Sequence, residues 1–275
     1  MSARHDHWMV HASQWAHVGQ PLRPGPIDVG IAESMARQAS TIVGHASPRA
    51  LVLGVTPELV GMGWPQGTRL ISVDRCPGMI GRVLPRAGQG RVIGICGNWL
   101  QLPLASGSLD LIAGDGCFTV LETLADHGAF SAELARVLAG GFLIMRLFVR
   151  PDQAETIEQV FDALEAGQIG NFHIFKWRLA MALHQDLGSG VAVADIWKAW
   201  QSSGLDSASL ALAQGWPVAD IETIRAYENA TARYTFPRIH EAREVLSRDF
   251  AELDCQLPDY ELGERCPTLL LRAKS

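Results

Sequence analysis

A chain of 275 residues that is 48% hydrophobic and 19% charged has room for one large domain, or for one domain carrying a sizeable insertion. Its net charge of -6 argues against a general nucleic-acid binder, because phosphate recognition calls for a basic face. The first residues, MSARHDHWMV, hold no apolar core of signal-peptide length, and no apolar run is long enough for a bilayer, so no membrane role is expected. The five cysteines form neither a CxxC pair nor a zinc spacing, which fits reduced thiols, a cytoplasmic location and no metal site.

In chain order, residues 1–26 are rich in His and Trp (His5, His7, Trp8, His11, Trp15, His17) and close on Pro21-Leu22-Arg23-Pro24-Gly25-Pro26. Two prolines flanking glycine oppose regular structure, so this stretch reads as an irregular arm. Its aromatics either pack on the surface or close as a lid over a ligand. Asp28 to Ile42 repeats apolar residues at helical spacing. Ala50 to Leu53 is then a short apolar strand closed by Gly54, and Thr56-Pro57-Glu58 is a helix start. A second strand, Leu70 to Val73, ends on Asp74, 20 residues after Gly54. Nucleotide-binding α/β domains place a ribose-binding acid at about that distance from a glycine turn.

A helix over 76–84 precedes a third strand, Arg91 to Cys96, which ends in Gly97-Asn98-Trp99. The fourth strand, Leu109 to Ala113, stops at Gly114-Asp115-Gly116. A helix from about 128 to 138 ends at Gly140-Gly141, and a fifth strand runs from Phe142 to Val149. Strands alternating with helices predict a doubly wound α/β fold with a mostly parallel sheet, whose ligand lies at the carboxyl ends of the strands. From Pro151 the pattern turns helical (152–166, 171–187, 193–200, 220–233, 238–247), too long for a crossover. Phe250 to Leu262 and Thr268 to Ala273 read as a closing antiparallel pair. The expected organisation is an arm (1–27), a cofactor-binding core (28–150), a helical substrate cap (151–249) and closing strands (250–275).

The order of these motifs resembles the class I S-adenosylmethionine-dependent methyltransferases over roughly residues 28–150 and the final strand pair. The segments NWLQLPLASGSLDLI and LARVLAGGFLIM carry the likeness most plainly. The resemblance implies a Rossmann-like seven-stranded sheet and S-adenosylmethionine as cofactor. It assigns the methionine end to the loop bearing Gly54, Thr56 and Glu58, and the ribose to Asp74 with Arg75 beside it. Adenine falls to Gly97, Asn98 and Trp99, and the sulfonium side to Asp115, Gly116 and Phe118. Of the family's glycines in the first loop only Gly54 is present; Val52, Thr56 and Glu58 occupy the other motif places.

Methyl transfer requires no protein nucleophile, but a hydroxyl or protonated amine acceptor is helped by a base. Asp115 and His127 are the leading candidates, with Glu122, His173 and His184 behind them. Arg146 on the fifth strand needs a partner, either a carboxylate of the fold or an anionic substrate group. Spacings of three and four put His173, Lys176 and Trp177 on one helical sector, which with Phe118, Arg146 and Phe148 makes a candidate acceptor pocket. The expected function is methyl transfer to a small polar or anionic molecule at O or N. A non-catalytic cofactor-binding relative stands beside it, and a nicotinamide-dependent oxidoreductase lacks the GxGxxG its first turn would need. Oligomeric state cannot be read from the sequence.

Overall fold

The structure, a computed structural model, describes residues 7–85 and 92–274. His5 and Arg91, both used above, lie outside the described residues. In chain order the first elements are α1 (His7–Gln14), a short 3-10 turn (Trp15–His17) and α2 (Pro26–Val43). Over its described residues the arm is therefore helical from His7, with the irregular part at the proline-rich end. Pro26 occupies the first helical position, where its missing N–H is no loss, and Gly44 ends α2 at φ 68°. β1 (Arg49–Leu53), α3 (Pro57–Val60), β2 (Arg69–Asp74), α4 (Pro77–Arg82), β3 (Ile93–Cys96) and β4 (Leu111–Asp115) follow.

α5 (Leu124–Leu138) begins four residues earlier than expected, because the Thr123 hydroxyl caps it by accepting from the Asp126 N–H at 3.1 Å. β5 (Phe142–Arg146) closes the parallel part of the core.

The cap contains α6 (Ile157–Glu165), α7 (Phe172–Leu183), β6 (Val191–Ala192), α8 (Val193–Ser202), α9 (Ser207–Gln214), α10 (Val218–Glu222) and β7 (Arg233–Tyr234). The helix expected over 220–233 breaks into α10 and a 3-10 turn, and β7 pairs antiparallel with β6. α9 went unread, since SASLALAQ has no apolar stripe at helical spacing. α11 (Ile239–Leu246) belongs to the core rather than the cap: Ala242, Val245 and Leu246 pack with Phe130, Leu134 and Val137 of α5. The cap therefore ends before α11 and not at residue 249. β8 (Phe250–Gln256) and β9 (Thr268–Ala273) complete the chain.

The seven-stranded sheet runs β3-β2-β1-β4-β5-β9-β8, with β9 and β8 antiparallel to the rest. Alternate residues of β1 serve opposite faces: Leu51 and Leu53 pack in the α5–α11 cluster, Ala50 and Val52 lie among buried residues, and Val52 packs with α2. A sheet buried on both faces explains why its strands read as continuous apolar runs. Chain order reverses between β1 and β4, and that switch point opens a crevice at the carboxyl ends of the strands. No helix among the described residues is long and apolar enough to cross a membrane.

Candidate functional site

A cavity of about 290 Å³ lies at those strand ends. The four loops after β1, β2, β3 and β4 form its core side. Gly54, after β1, takes φ 80°, and a Cβ there would stand 3.5 Å from Trp99 and 3.6 Å from the Asp74 carboxylate. The glycine thus faces both the acid that ends β2 and the indole that follows β3. Asp74 Oδ1 accepts from the Cys76 N–H at 2.7 Å, and Trp99 Nε1 donates to the Val73 carbonyl at 2.7 Å. These bonds fix the carboxylate and the ring relative to β2. Thr56, Arg75, Asn98 and Gly116 also line this side. Gly116 sits at φ 61°, and a Cβ there would collide with the Phe148 ring, so the turn after β4 requires glycine.

Two of the cofactor residues proposed from sequence stand elsewhere. Gly97 does not line the cavity; it packs behind it, where a Cβ would come 3.1 Å from Val73 and 3.2 Å from Pro103. Glu58 lies off the cavity wall, its Oε1 in an ion pair with Arg23 of the arm and its buried Oε2 without a hydrogen-bond partner. Arg23 further donates to the carbonyls of Trp15 at 2.9 Å and Val18 at 3.3 Å. Glu58, in the last glycine's place of the family pattern, holds the arm onto the cofactor loop.

The catalytic candidates are corrected likewise. Asp115 reaches the cavity floor, but its side chain is 6% exposed and Oδ1 accepts from Arg146 Nε at 2.6 Å. Burial raises its carboxyl above the usual range against the pull of Arg146, and the group anchors an ion pair instead of standing as a free base. His127 is buried and lies off the cavity wall, with Nε2 3.0 Å from the Phe118 carbonyl and 2.9 Å from Thr235 Oγ1. Burial lowers its pKa, and its bonds tie the loop after β4 to the cap. His173 and His184 are also off the cavity, pushed down to about 3 and about 4 by burial. Among the described histidines only His11, on α1, lines the cavity; no spacing or motif in the sequence singles it out.

Of the acceptor-pocket residues, Phe148 and Trp177 line the cavity and Phe118, Arg146, His173 and Lys176 do not. Phe118 packs edge-on against Phe130 and His127 behind the wall. Arg146 is no substrate fork. Besides Asp115, its Nη1 donates to Tyr260 Oη at 3.0 Å and lies 3.3 Å from Asp28 Oδ1, and its Nη2 donates to the Pro21 carbonyl at 2.8 Å. Burial opposes its charge, but the neighbouring carboxylates hold its pKa above the ordinary arginine value. Lys176 is buried in the cap, bonding Thr223 Oγ1 at 3.0 Å and lying over the Tyr227 ring. α7 is buried almost all round, so three neighbours on one sector need not meet the same space.

The far side of the cavity comes from elements outside the strand pattern. Trp8 and Trp15 of the arm line it together with Tyr227 and Tyr234 of the cap, Phe148 and Trp177, and His11 of α1 packs edge-on against Tyr227.

Residues 54–145 match the model of a methyltransferase domain. The chain is similar over its whole length to a putative Zn-dependent alcohol dehydrogenase of Rhodobacter sphaeroides, at 12% identity and TM-score 0.65, each chain covered to 100%. It is also similar to the N-methyltransferase NodS of Bradyrhizobium japonicum in complex with S-adenosyl-L-homocysteine, at 12% identity and TM-score 0.52, covering 99% of this chain and 100% of that one. At such identities these likenesses show the fold. A search of curated proteins finds no match. Residues 54–145, which build the switch-point crevice, are thus those of a methyltransferase domain, consistent with the class I S-adenosylmethionine-dependent methyltransferases.

Proposed function

We propose that this methyltransferase acts on a small molecule bound at the aromatic end of the cavity, with O or N as the methyl acceptor. One observation carries the reading: a single cavity joins the Gly54–Asp74–Trp99 end to the walls built by the arm and cap. The residues present fit an adenosyl cofactor. Asp74 is the acid for the ribose hydroxyls, Asn98 and Trp99 flank the base, and Thr56 and the Gly116 turn border the methionine end. When bound, the cofactor supplies an electrophilic methyl group on a sulfonium.

The chain's own part is to orient and to exclude water. Trp99, held by the Val73 carbonyl, sets one wall, and the arm, held by Arg23 and Glu58, covers another. An anionic acceptor loses its support, since Arg146 and Lys176, the cations invoked for it, lie off the cavity.

Isothermal titration with S-adenosylmethionine, S-adenosylhomocysteine and NAD tests the cofactor assignment. Binding of the first two without the third supports it, and Asp74→Ala is expected to weaken S-adenosylhomocysteine by at least about tenfold, as loss of charge-assisted hydrogen bonds does. Unchanged affinity in that variant would remove Asp74 from the ribose site.

A further inference from the structure

Three cavity-lining residues carry a buried polar atom without a hydrogen-bond partner in the protein: Trp15 Nε1, Trp177 Nε1 and Thr119 Oγ1. They come from three separate parts of the chain, the arm, α7 and the turn after β4. Buried donors are nearly always satisfied in folded proteins, by protein, by water or by a ligand. The two indole nitrogens can only donate, and the hydroxyl can donate as well. Three orphans around one cavity therefore call for an occupant that brings hydrogen-bond acceptors.

The walls restrict that occupant further. Among the described residues, the arm and cap contribute aromatic and aliphatic groups and His11 to the cavity, but no Lys, Arg, Asp or Glu. A charged ligand group placed there would lose its hydration without a fixed counter-charge, which is costly. The aromatic rings gathered on the arm and cap walls suit a flat guest, through stacking and edge-to-face contact. Glu122 and Asp126 also line the cavity, but they belong to the segment entering α5, on the core side.

We infer that the methyl acceptor is an uncharged, planar heteroaromatic molecule whose carbonyl oxygens or ring nitrogens accept hydrogen bonds from Trp177, Trp15 and Thr119. This rests on the methyltransferase reading and gives that site its substrate class. The indole N–H groups act as positioning donors: they orient the ring so that one nucleophilic O or N faces the cofactor end.

The test uses the full-length protein saturated with S-adenosylhomocysteine, titrated with three flat probes of one shape and different charge. These are 4-quinolone (neutral, with a carbonyl), N-methylquinolinium (cationic) and quinoline-4-carboxylate (anionic). The neutral probe is expected to bind at least about tenfold more tightly than either charged one. Trp177→Phe, which keeps an aromatic ring and deletes the donor, is expected to weaken 4-quinolone by about threefold to tenfold and leave S-adenosylhomocysteine affinity unchanged. Retained S-adenosylhomocysteine binding also shows that the variant is folded. Equal or tighter binding of a charged probe, no binding of any probe, or an unaffected Trp177→Phe variant overturns the inference. Failure to bind S-adenosylhomocysteine at all overturns the methyltransferase reading instead, so the two failures are told apart before any probe is added.

Discussion

Lys176 and Trp177 are neighbours in sequence with opposite fates. The indole reaches the cavity wall; the ammonium is wholly buried beneath it, against Thr223 and the Tyr227 ring. Burial, partly countered by Asp220, pushes the Lys176 pKa down to about 7. In an unfolded chain the same group titrates near 10.4. Between those values the unfolded state holds a proton that the folded state lacks, so stability rises with pH across that window. Lys176→Met removes the linkage. Relative to wild type, the variant should gain most below pH 7, and its advantage should shrink toward pH 10. Urea unfolding of both proteins at several pH values measures this; a pH-independent difference would mean the amine stays protonated when folded. Neither the burial nor the shift was legible from spacing, which shows that a residue shares a sector but not what covers it.

The sheet strands were legible as elements because both faces of the sheet are buried, and such strands read as apolar runs. Thr268 to Ala273 was read with the bounds it has in the structure. Errors collected where side-chain caps or tertiary partners decide: the start of α5, the unread α9, the split of 220–233, and α11, which joins the core through Ala242 and Val245. The arm is the clearest case. Its composition suggested either surface packing or a lid; its structure is α1 and a turn, with Trp8, His11 and Trp15 on the cavity wall.

What holds the arm is the Arg23–Glu58 pair, whose side chains are only 24% and 18% exposed. Arg23→Ala strands the Glu58 carboxylate and takes a donor from the Trp15 and Val18 carbonyls, leaving the former only the Val18 N–H. Backbone amides over 15–23 should then exchange with deuterium about tenfold faster, while those of β1 stay as in wild type. Equal protection in the two proteins would mean that apolar packing alone seats the arm.

Across the whole molecule, Arg146 joins parts that are far apart in sequence. Its guanidinium meets Pro21 of the arm, Asp28 of α2, Asp115 of β4 and Tyr260 of the segment between β8 and β9. Asp28 in turn accepts from the Gly25 N–H at 2.7 Å and from Tyr260 Oη at 2.9 Å. Arg146→Met would leave two buried carboxylates without their cation and should cost about 3–5 kcal/mol in urea unfolding. A loss below about 1 kcal/mol would show that Asp28 and Asp115 take up protons or water at little cost. The sequence by itself determined the layered α/β architecture, the succession of strands along the chain up to β5, and the spacing that sets Gly54 beside Asp74. Those depend on local apolar runs, turn residues and a glycine-to-acid spacing, all written in contiguous stretches of chain. Only the tertiary structure decided that Arg146, Asp115, His127 and Glu58 have partners within the fold, and that Trp8, His11, Trp15, Tyr227 and Tyr234 line one cavity. Which charges are paired and which rings share a cavity depends on residues as far apart as Trp8 and Tyr234, and no periodicity or spacing encodes those.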